Sequence, residues 1–192
     1  YPLRRQRQMC IRDRYNVAVG YKAGEAITSG TRNTLVGYIA GDAITTGVQN
    51  TMIGKGAGTT ATVASMSVFL GDGAGEGVTT GNSNIAIGQD AMVGSTTGDH
   101  NIAIGYHAGD ALTSGKLNIA LGKNALGAAA NDHNNIAIGH GALADSTNSD
   151  YMIAIGNNAL DAVAGNSHAG EVAIGHNALS ALTTGGENLA IG

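Results

Sequence analysis

The sequence predicts an all-β fold, a parallel β-solenoid (β-roll) of about ten 17-residue turns. One observation is a marker glycine that recurs every 17 residues, except for one interval of 19 residues between Gly156 and Gly175. A second is the composition: 31 glycines but one phenylalanine and no tryptophan, which favours a thin core of stacked turns. The third is a short β-branched segment before each marker glycine. The marker glycines are Gly20, Gly37, Gly54, Gly71, Gly88, Gly105, Gly122, Gly139, Gly156, Gly175 and Gly192.

The first 14 residues lack this repeat, and we expect them to form a non-native or disordered leader. They contain the only cysteine, the only proline and five of the ten basic residues. The stretch resembles a translated sequencing adapter of the kind found in assembled metagenomic sequences, and a genuine basic arm is the alternative. We assign residues 15–192 to one β-solenoid repeat domain and expect it to be a fragment of a longer protein.

Residues 15–192 are acidic, with five basic and thirteen acidic side chains and hence a net charge of −8. This sign disfavours nucleic acid as a partner, because a nucleic-acid surface requires clustered positive charge. No apolar run reaches the roughly 18 residues that a membrane span needs, so we expect no membrane insertion. Nothing in the composition or the motifs implies a cofactor.

The segment before each marker glycine predicts a short strand, as in Asn101-Ile102-Ala103-Ile104-Gly105. Ile102 and Ile104 share one face of this strand, and we expect that aliphatic face to point into the coil. The residue between them points the other way and is never polar, whereas a solvated face should be polar. We therefore predict that sister chains cover the second face; the alternative is an exposed strip of small residues. The predicted interface residues are Leu35, Met52, Phe69, Ala86, Ala103, Ala120 and Ala137.

The corners between strands are equally regular. Asparagines at one corner of successive turns can form a ladder of side-chain amides. Alanine stands three residues after every interior marker glycine, which predicts a tight inward position, and aliphatic residues such as Ile44 and Leu112 predict a second inward column. From Leu126 onward the sequence Ala-Leu at this corner predicts a helical turn. The predicted structural turn residues are Asn33, Asn50, Asn84, Asn101, Asn118 and Asn135, with Gly37, Gly54, Gly88, Gly105, Gly122 and Gly139.

Two stretches carry a family resemblance: residues 96–109, which read TTGDHNIAIGYHAG, and residues 188–192, which read NLAIG. They resemble the head repeats of trimeric autotransporter adhesins of the YadA type and are similar to repeats of bacteriophage and bacterial fibre proteins. The resemblance covers residues 15–192. It implies a left-handed β-roll, a homotrimer and attachment to a host or surface, on a virion tail fibre or a bacterial cell surface. The 17-residue period is longer than that of YadA-type heads, so the resemblance does not define the exact cross-section of the coil.

The sequence predicts no catalytic residue and no metal site. His140 and His176 share a column but lie two turns apart, about 10 Å, which is too far for one zinc ion. Carboxylates recur five residues after the marker glycine, as at Glu25 and Asp42, but the GGxGxD pattern of calcium-binding β-rolls is missing. A threefold axis could still gather three copies of one histidine. The glycine-rich residues 54–58 lack the Lys-Ser/Thr ending of a phosphate loop.

Two surface columns suggest binding. Tyrosines directly after the marker glycine form either an aromatic platform for sugar or an exposed stacking ladder: Tyr21, Tyr38 and Tyr106. Threonines recur at a second corner and suggest an ice-binding β-solenoid as the alternative function: Thr28, Thr45, Thr79, Thr96 and Thr113. Only one threonine column faces outward, because neighbouring residues point in opposite directions. The sequence therefore favours a non-catalytic fibre or adhesin segment that binds copies of itself and a glycan or protein receptor.

Overall fold

The structure, a computed structural model, describes residues 15–94, 97–145, 147, 149–162, 169–182 and 186–192. The 14-residue leader, Thr96 and His168 lie outside the described residues. The described part contains eleven strands and no helix, which confirms the all-β parallel solenoid; no helix in it could span a membrane. The strands are β1 (Val17–Val19), β2 (Thr34–Val36), β3 (Thr51–Ile53), β4 (Val68–Leu70), β5 (Ile85–Ile87), β6 (Ile102–Ile104), β7 (Ile119–Leu121), β8 (Ile136–Ile138), β9 (Ile153–Ile155), β10 (Val172–Ile174) and β11 (Leu189–Ile191).

The strands form one parallel sheet in chain order, and each strand pairs in register with the next. Equivalent residues of successive turns therefore stand above one another, as Ala103 stands beside Ala120. Backbone hydrogen bonds continue beyond the strand ends: Ile102 N donates to Asn118 O at 2.8 Å and Gly105 N donates to Ile87 O at 2.8 Å. Ten turns at about 4.8 Å per turn give a sheet about 50 Å long.

The structure reverses the predicted faces of the strands. The middle residue of each strand points into the coil, and its side chain is fully buried in a single chain from β1 through β10. Ile104, which was expected inside, has 38% of its surface exposed. The predicted interface residues Leu35, Met52, Phe69, Ala86, Ala103, Ala120 and Ala137 are all 0% exposed within one chain, so their assignment to an oligomer interface is wrong.

The narrow interior of the coil explains this reversal. Asn101 and Ala103 lie two residues apart on the same face, and both are completely buried. A 17-residue turn encloses little volume, so most middle positions hold alanine. Strand residues with longer aliphatic side chains, such as Ile102, stand on the outside. The small size of the middle residue, rather than the hydrophobicity of its neighbours, therefore marks the buried face.

A larger middle residue is accommodated by a glycine elsewhere in the same turn. A Cβ atom on Gly41 would lie 2.8 Å from Leu35 Cδ2, and one on Gly75 would lie 2.6 Å from the ring of Phe69. In most later turns the two positions exchange size, and a larger buried side chain follows six residues after the buried middle alanine: Ala86 with Met92, Ala120 with Leu126, Ala137 with Leu143, and Ala154 with Leu160. The predicted inward column at Ile44, Val78 and Leu112 is also buried and fills the remaining space.

The Ala-Leu corners are not helical turns, which corrects the prediction for the second half of the chain. Leu126 and Leu143 have φ of 55° and 51°, in the left-handed region. Leu126 N donates to Ala142 O of the next turn at 2.9 Å, instead of to a carbonyl four residues earlier. Bonding between turns therefore overrides the helix propensity of alanine and leucine.

Close approach between turns requires the marker glycines. Gly105 has a φ of 140°, and a Cβ atom there would lie 2.5 Å from the carbonyl oxygen of Gly122 in the next turn. No other residue fits this position, because a side chain would collide with the backbone directly above it. The marker glycines therefore set the spacing of the turns at the end of each strand.

Candidate functional site

The outer face of the sheet is a chemically distinctive surface of the described chain. We call it the outer apolar face, and it consists of the first and third residues of strands β1–β11. Its two columns are aliphatic except at Thr34 and Thr51. Exposed members include Val17 at 48%, Ile53 at 42% and Ile138 at 36%. No charged residue occupies either column.

The size of this face indicates an interaction surface. Eleven strands at about 4.8 Å, each presenting two side chains over about 10 Å, give an area on the order of 500 Å². The largest apolar patch on a typical monomeric protein measures about 300–600 Å² and is often functional, so this face is a candidate interaction surface. The apolar strip of the sequence-based prediction thus exists, but it is formed by the columns that contain Ile102 and Ile104.

A buried asparagine ladder supports the outer apolar face from inside the coil. Asn118 Nδ2 donates to Asn101 Oδ1 at 3.1 Å and to Asp132 O at 2.7 Å, and Asn118 N donates to Asn101 Oδ1 at 3.0 Å. The same amide-to-amide bond joins Asn33 to Asn16 and Asn50 to Asn33. Each side chain therefore links its own turn to a neighbouring turn and also binds a carbonyl 14 residues ahead. A buried amide whose polar atoms all make such hydrogen bonds avoids the free-energy cost of an unsatisfied donor or acceptor.

A second ladder, which the sequence analysis missed, runs along the position six residues before the marker glycine. There a backbone N–H donates to the side chain of the next turn: Ser65 N to Asn82 Oδ1 at 3.0 Å, and Asn82 N to Asp99 Oδ1 at 2.9 Å. Lys116 N continues the pattern to His133 Nδ1 at 3.1 Å. The sequence signal that could have revealed this ladder is the recurrence of residues with a side-chain acceptor atom six residues before the marker glycine, as at Asn82, Asp99 and His133.

Asp99 has the strongest contacts in this second ladder. Besides Asn82 N, it binds Lys116 Nζ through Oδ2 at 3.0 Å. The backbone N–H of Asn82, followed by Lys116, lowers the pKa of the Asp99 carboxyl below its ordinary value. Its side chain is about one quarter exposed, so the surrounding water only partly screens the charge.

The threonine column uses its hydroxyl groups within the coil. Thr28 Oγ1 donates to Thr45 O at 3.0 Å, and Thr45 Oγ1 donates to Thr62 O at 3.0 Å. Thr113 Oγ1 donates to Ala130 O at 2.7 Å. These hydroxyl protons are directed along the stack rather than toward solvent, which weakens the case for an ice-binding array.

The three predicted surface tyrosines differ in their surroundings. Tyr21 and Tyr38 stack on each other with ring centroids 5.4 Å apart and planes inclined by 13°, so each covers one face of the other. Tyr106 has no tyrosine neighbour; its ring is 4.3 Å from the ring of His107, edge to face. Lys123 Nζ lies 5.8 Å from the centroid of the Tyr106 ring. Tyr21 also has a lysine beside its ring, with Lys22 Nζ 6.0 Å from the ring centroid, so Tyr106 differs from it in contacting a histidine instead of a second tyrosine.

A recess of about 480 Å³ opens beside Tyr106. Three successive turns line it, through Tyr106, His107 and Asp110 after β6, Lys123 after β7, and Asp145 after β8. His107 Nδ1 lies 2.9 Å from Asp110 Oδ2. The recess therefore brings an aromatic ring, two carboxylates and an ammonium group to one place.

Some of the other charged positions form ordinary surface contacts, whereas Asp132 and Glu171 are completely buried. Glu25 pairs with Lys22 at 2.9 Å, which raises the pKa of that lysine, and burial raises the pKa of the Asp42 carboxyl. His140 Nδ1 lies 3.4 Å from Asn157 Oδ1 of the next turn. Within the part of the chain that the structure describes, no three His, Cys, Asp or Glu side chains are grouped to hold a metal ion.

No protein-family model matches this chain, and no match was found among curated proteins or solved structures. The two surfaces that bear on function are the outer apolar face and the recess beside Tyr106.

Proposed function

We propose that the chain is a non-catalytic segment of an attachment fibre or adhesin, in which copies of the chain associate through the outer apolar face. The observation that carries this proposal is the pair of aliphatic columns that runs the whole length of the sheet. Covering them removes apolar surface from water at about 25 cal/mol per Å². Association in this way places coils about 50 Å long side by side in one bundle, which suits a segment of a fibre at a virion or cell surface.

A second copy of the same chain is the best partner for this face, because its spacing is identical. Nine of the ten intervals between successive strands have the same length, and each turn rises by about 4.8 Å. Side chains such as Ile87 and Ile104 can therefore interdigitate with their equivalents at every level. A closed symmetric oligomer would bury all copies of the face. Three copies around one axis is the arrangement that the family resemblance implies.

The proposal is tested by the mass of the full chain in solution, measured by light scattering after gel filtration. We expect three times the monomer mass of 19.1 kDa. Ile104→Asp should give a monomer, because a threefold axis would bring three carboxylates together in an apolar contact. The folded coil should tolerate this change, since Ile104 is already 38% exposed in one chain.

Val63→Asp is the matched control. Val63 is 43% exposed but lies in a bend outside the two columns, so its replacement should leave the mass unchanged. A wild-type chain that remains a folded monomer at high concentration would rule out this proposal. So would Ile104→Asp and Val63→Asp variants that both keep the wild-type mass.

A further inference from the structure

We infer that the recess beside Tyr106 binds a neutral saccharide. This inference rests on the proposed attachment function and specifies its receptor chemistry. The recess is a shallow depression that lies across three successive turns, is largely open to solvent and has a volume of about 480 Å³. It combines one exposed aromatic ring with carboxylate and ammonium groups of opposite charge.

The aromatic component is Tyr106, which has 45% of its surface exposed. His107 packs against this ring with the two planes inclined by 75° and the centroids 4.3 Å apart, which restricts the orientation of the ring. His107 is held in turn by Asp110 at 2.9 Å and lies 3.7 Å from Asp90. A fixed, exposed ring offers a flat apolar surface on which the C–H face of a sugar ring can pack.

The polar groups around the ring match the hydroxyls of a sugar. Asp145 and Asp110 supply acceptors, and Lys123, 5.8 Å from the Tyr106 centroid, supplies donors. Sugar hydroxyls both donate and accept, so they can use both kinds of group. The mixture of charges disfavours a strongly anionic ligand, and so does the net charge of −8 on residues 15–192.

The absence of a side chain at Gly127 opens the recess. Gly127 is not in the left-handed region, so its backbone does not demand glycine. A Cβ atom there would meet Ala144 O at 3.3 Å and Asn124 O at 3.4 Å, a tight but tolerable fit. Gly127 stands five residues after its marker glycine. The equivalent position is occupied by Asp110 one turn earlier and by Thr59 in another turn. A side chain at position 127 would therefore fill the space beside Tyr106.

The experiment measures binding of the full chain to an array of neutral oligosaccharides built from glucose, galactose, mannose and N-acetylglucosamine. Calorimetric titration with the same sugars at millimolar concentration follows. We expect binding to at least one of these sugars. Tyr106→Ala and Gly127→Gln should each weaken it by at least about tenfold, because the first removes the platform and the second fills the recess.

Two control variants report on general damage to the fold. Tyr21→Ala removes an equally exposed tyrosine of the same column, and Thr59→Gln introduces the same side chain at the position equivalent to Gly127. Both should bind as the wild type does. All four variants should retain the wild-type circular dichroism and melting temperature.

The outcomes separate this inference from the proposed function. No binding to any neutral sugar by either method would overturn the saccharide site, and so would binding confined to acidic sugars. Binding unchanged in Tyr106→Ala and Gly127→Gln would also overturn it. The mass of the wild-type chain decides the fibre proposal independently, since a trimer without sugar binding would refute only the inference drawn here.

Discussion

At the scale of single residues, the backbone conformation of the corners depends on position rather than on residue type. Ile39, Met66 and Leu117 all have φ between 52° and 61°, although bulky side chains disfavour the left-handed region by about 1–2 kcal/mol. Hydrogen bonds between turns offset this cost: Ile39 N donates to Tyr21 O at 2.8 Å and Met66 N donates to Val48 O at 2.9 Å. A residue therefore adopts the conformation that the next turn requires.

Asp99 gives the chain a defined response to acid. Because contacts in the folded state lower its pKa, the ionised carboxyl stabilises the fold above the ordinary value of 3.8. This contribution is lost as the pH falls through the lowered pKa. We expect Asp99→Asn to lose up to about 1 kcal/mol at neutral pH and to show a smaller decline in stability below pH 4 than the wild type.

Chemical denaturation between pH 2 and pH 7 measures this difference. Asp72→Asn is the control, because Asp72 forms only an exposed pair with Lys55 at 3.5 Å and should have little effect. If the free energy of unfolding depended on pH in the same way in the wild type and in Asp99→Asn, the acid response could not be assigned to the Asp99 carboxyl.

At the scale of elements, most turns divide their core volume between two positions, the middle strand residue and the residue six positions later. Phe69 fills the interior where Gly75 leaves space, whereas Leu126 fills it where Ala120 leaves space. Other turns keep leucine at the left-handed position with φ of 51°, for example at Leu143 and Leu160. The two ways of filling a turn should therefore be interchangeable.

We expect Phe69→Ala to destabilise the fold by about 3–5 kcal/mol, because it leaves a cavity. Gly75→Leu alone should also be destabilising, since its side chain would occupy the space of the Phe69 ring. The double variant should recover most of the loss, falling short by about 1–2 kcal/mol for leucine in the left-handed region. Urea unfolding of all four proteins gives the coupling energy.

Val63→Ala serves as a reference for this cycle, because it shortens an exposed side chain and should cost less than about 0.5 kcal/mol. Additive effects of Phe69→Ala and Gly75→Leu would show that the two positions do not share one space. A coupling energy near zero would therefore contradict the exchange of volume between them.

At the scale of the whole molecule, stability and association should be linked. A solenoid gains stability from contacts between neighbouring turns, and copies that cover the outer apolar face would add to it. The melting temperature of the wild type should therefore fall by about 2–4 °C for each tenfold dilution, by mass action. The Ile104→Asp variant should melt at one temperature regardless of concentration.

Scanning calorimetry over a hundredfold range of concentration measures this dependence, and Val63→Asp should behave as the wild type does. A wild-type midpoint that does not change on dilution would show that folding and association are not coupled. This result would be consistent with a light-scattering mass equal to that of one folded chain.

The amino-acid sequence by itself determined the period, the class of fold and the tight alanine position. It did so because every turn repeats the same local signals: Asn101 before a β-branched segment, Gly105 after it and Ala108 in the corner. It also indicated the side-chain ladder of asparagines, since identical residues at a fixed period must stand above one another.

Only the tertiary structure decided which strand face is buried, because alternation separates two faces without saying which one is inside. Ala103 and Ile104 are both apolar, and the narrow interior, closed by the buried Asn101, selects the smaller side chain. The left-handed corner at Leu126 and the recess between Tyr106 and Gly127 also depend on contacts between turns. Such contacts join residues about one turn apart in the sequence, and no local pattern specifies their geometry.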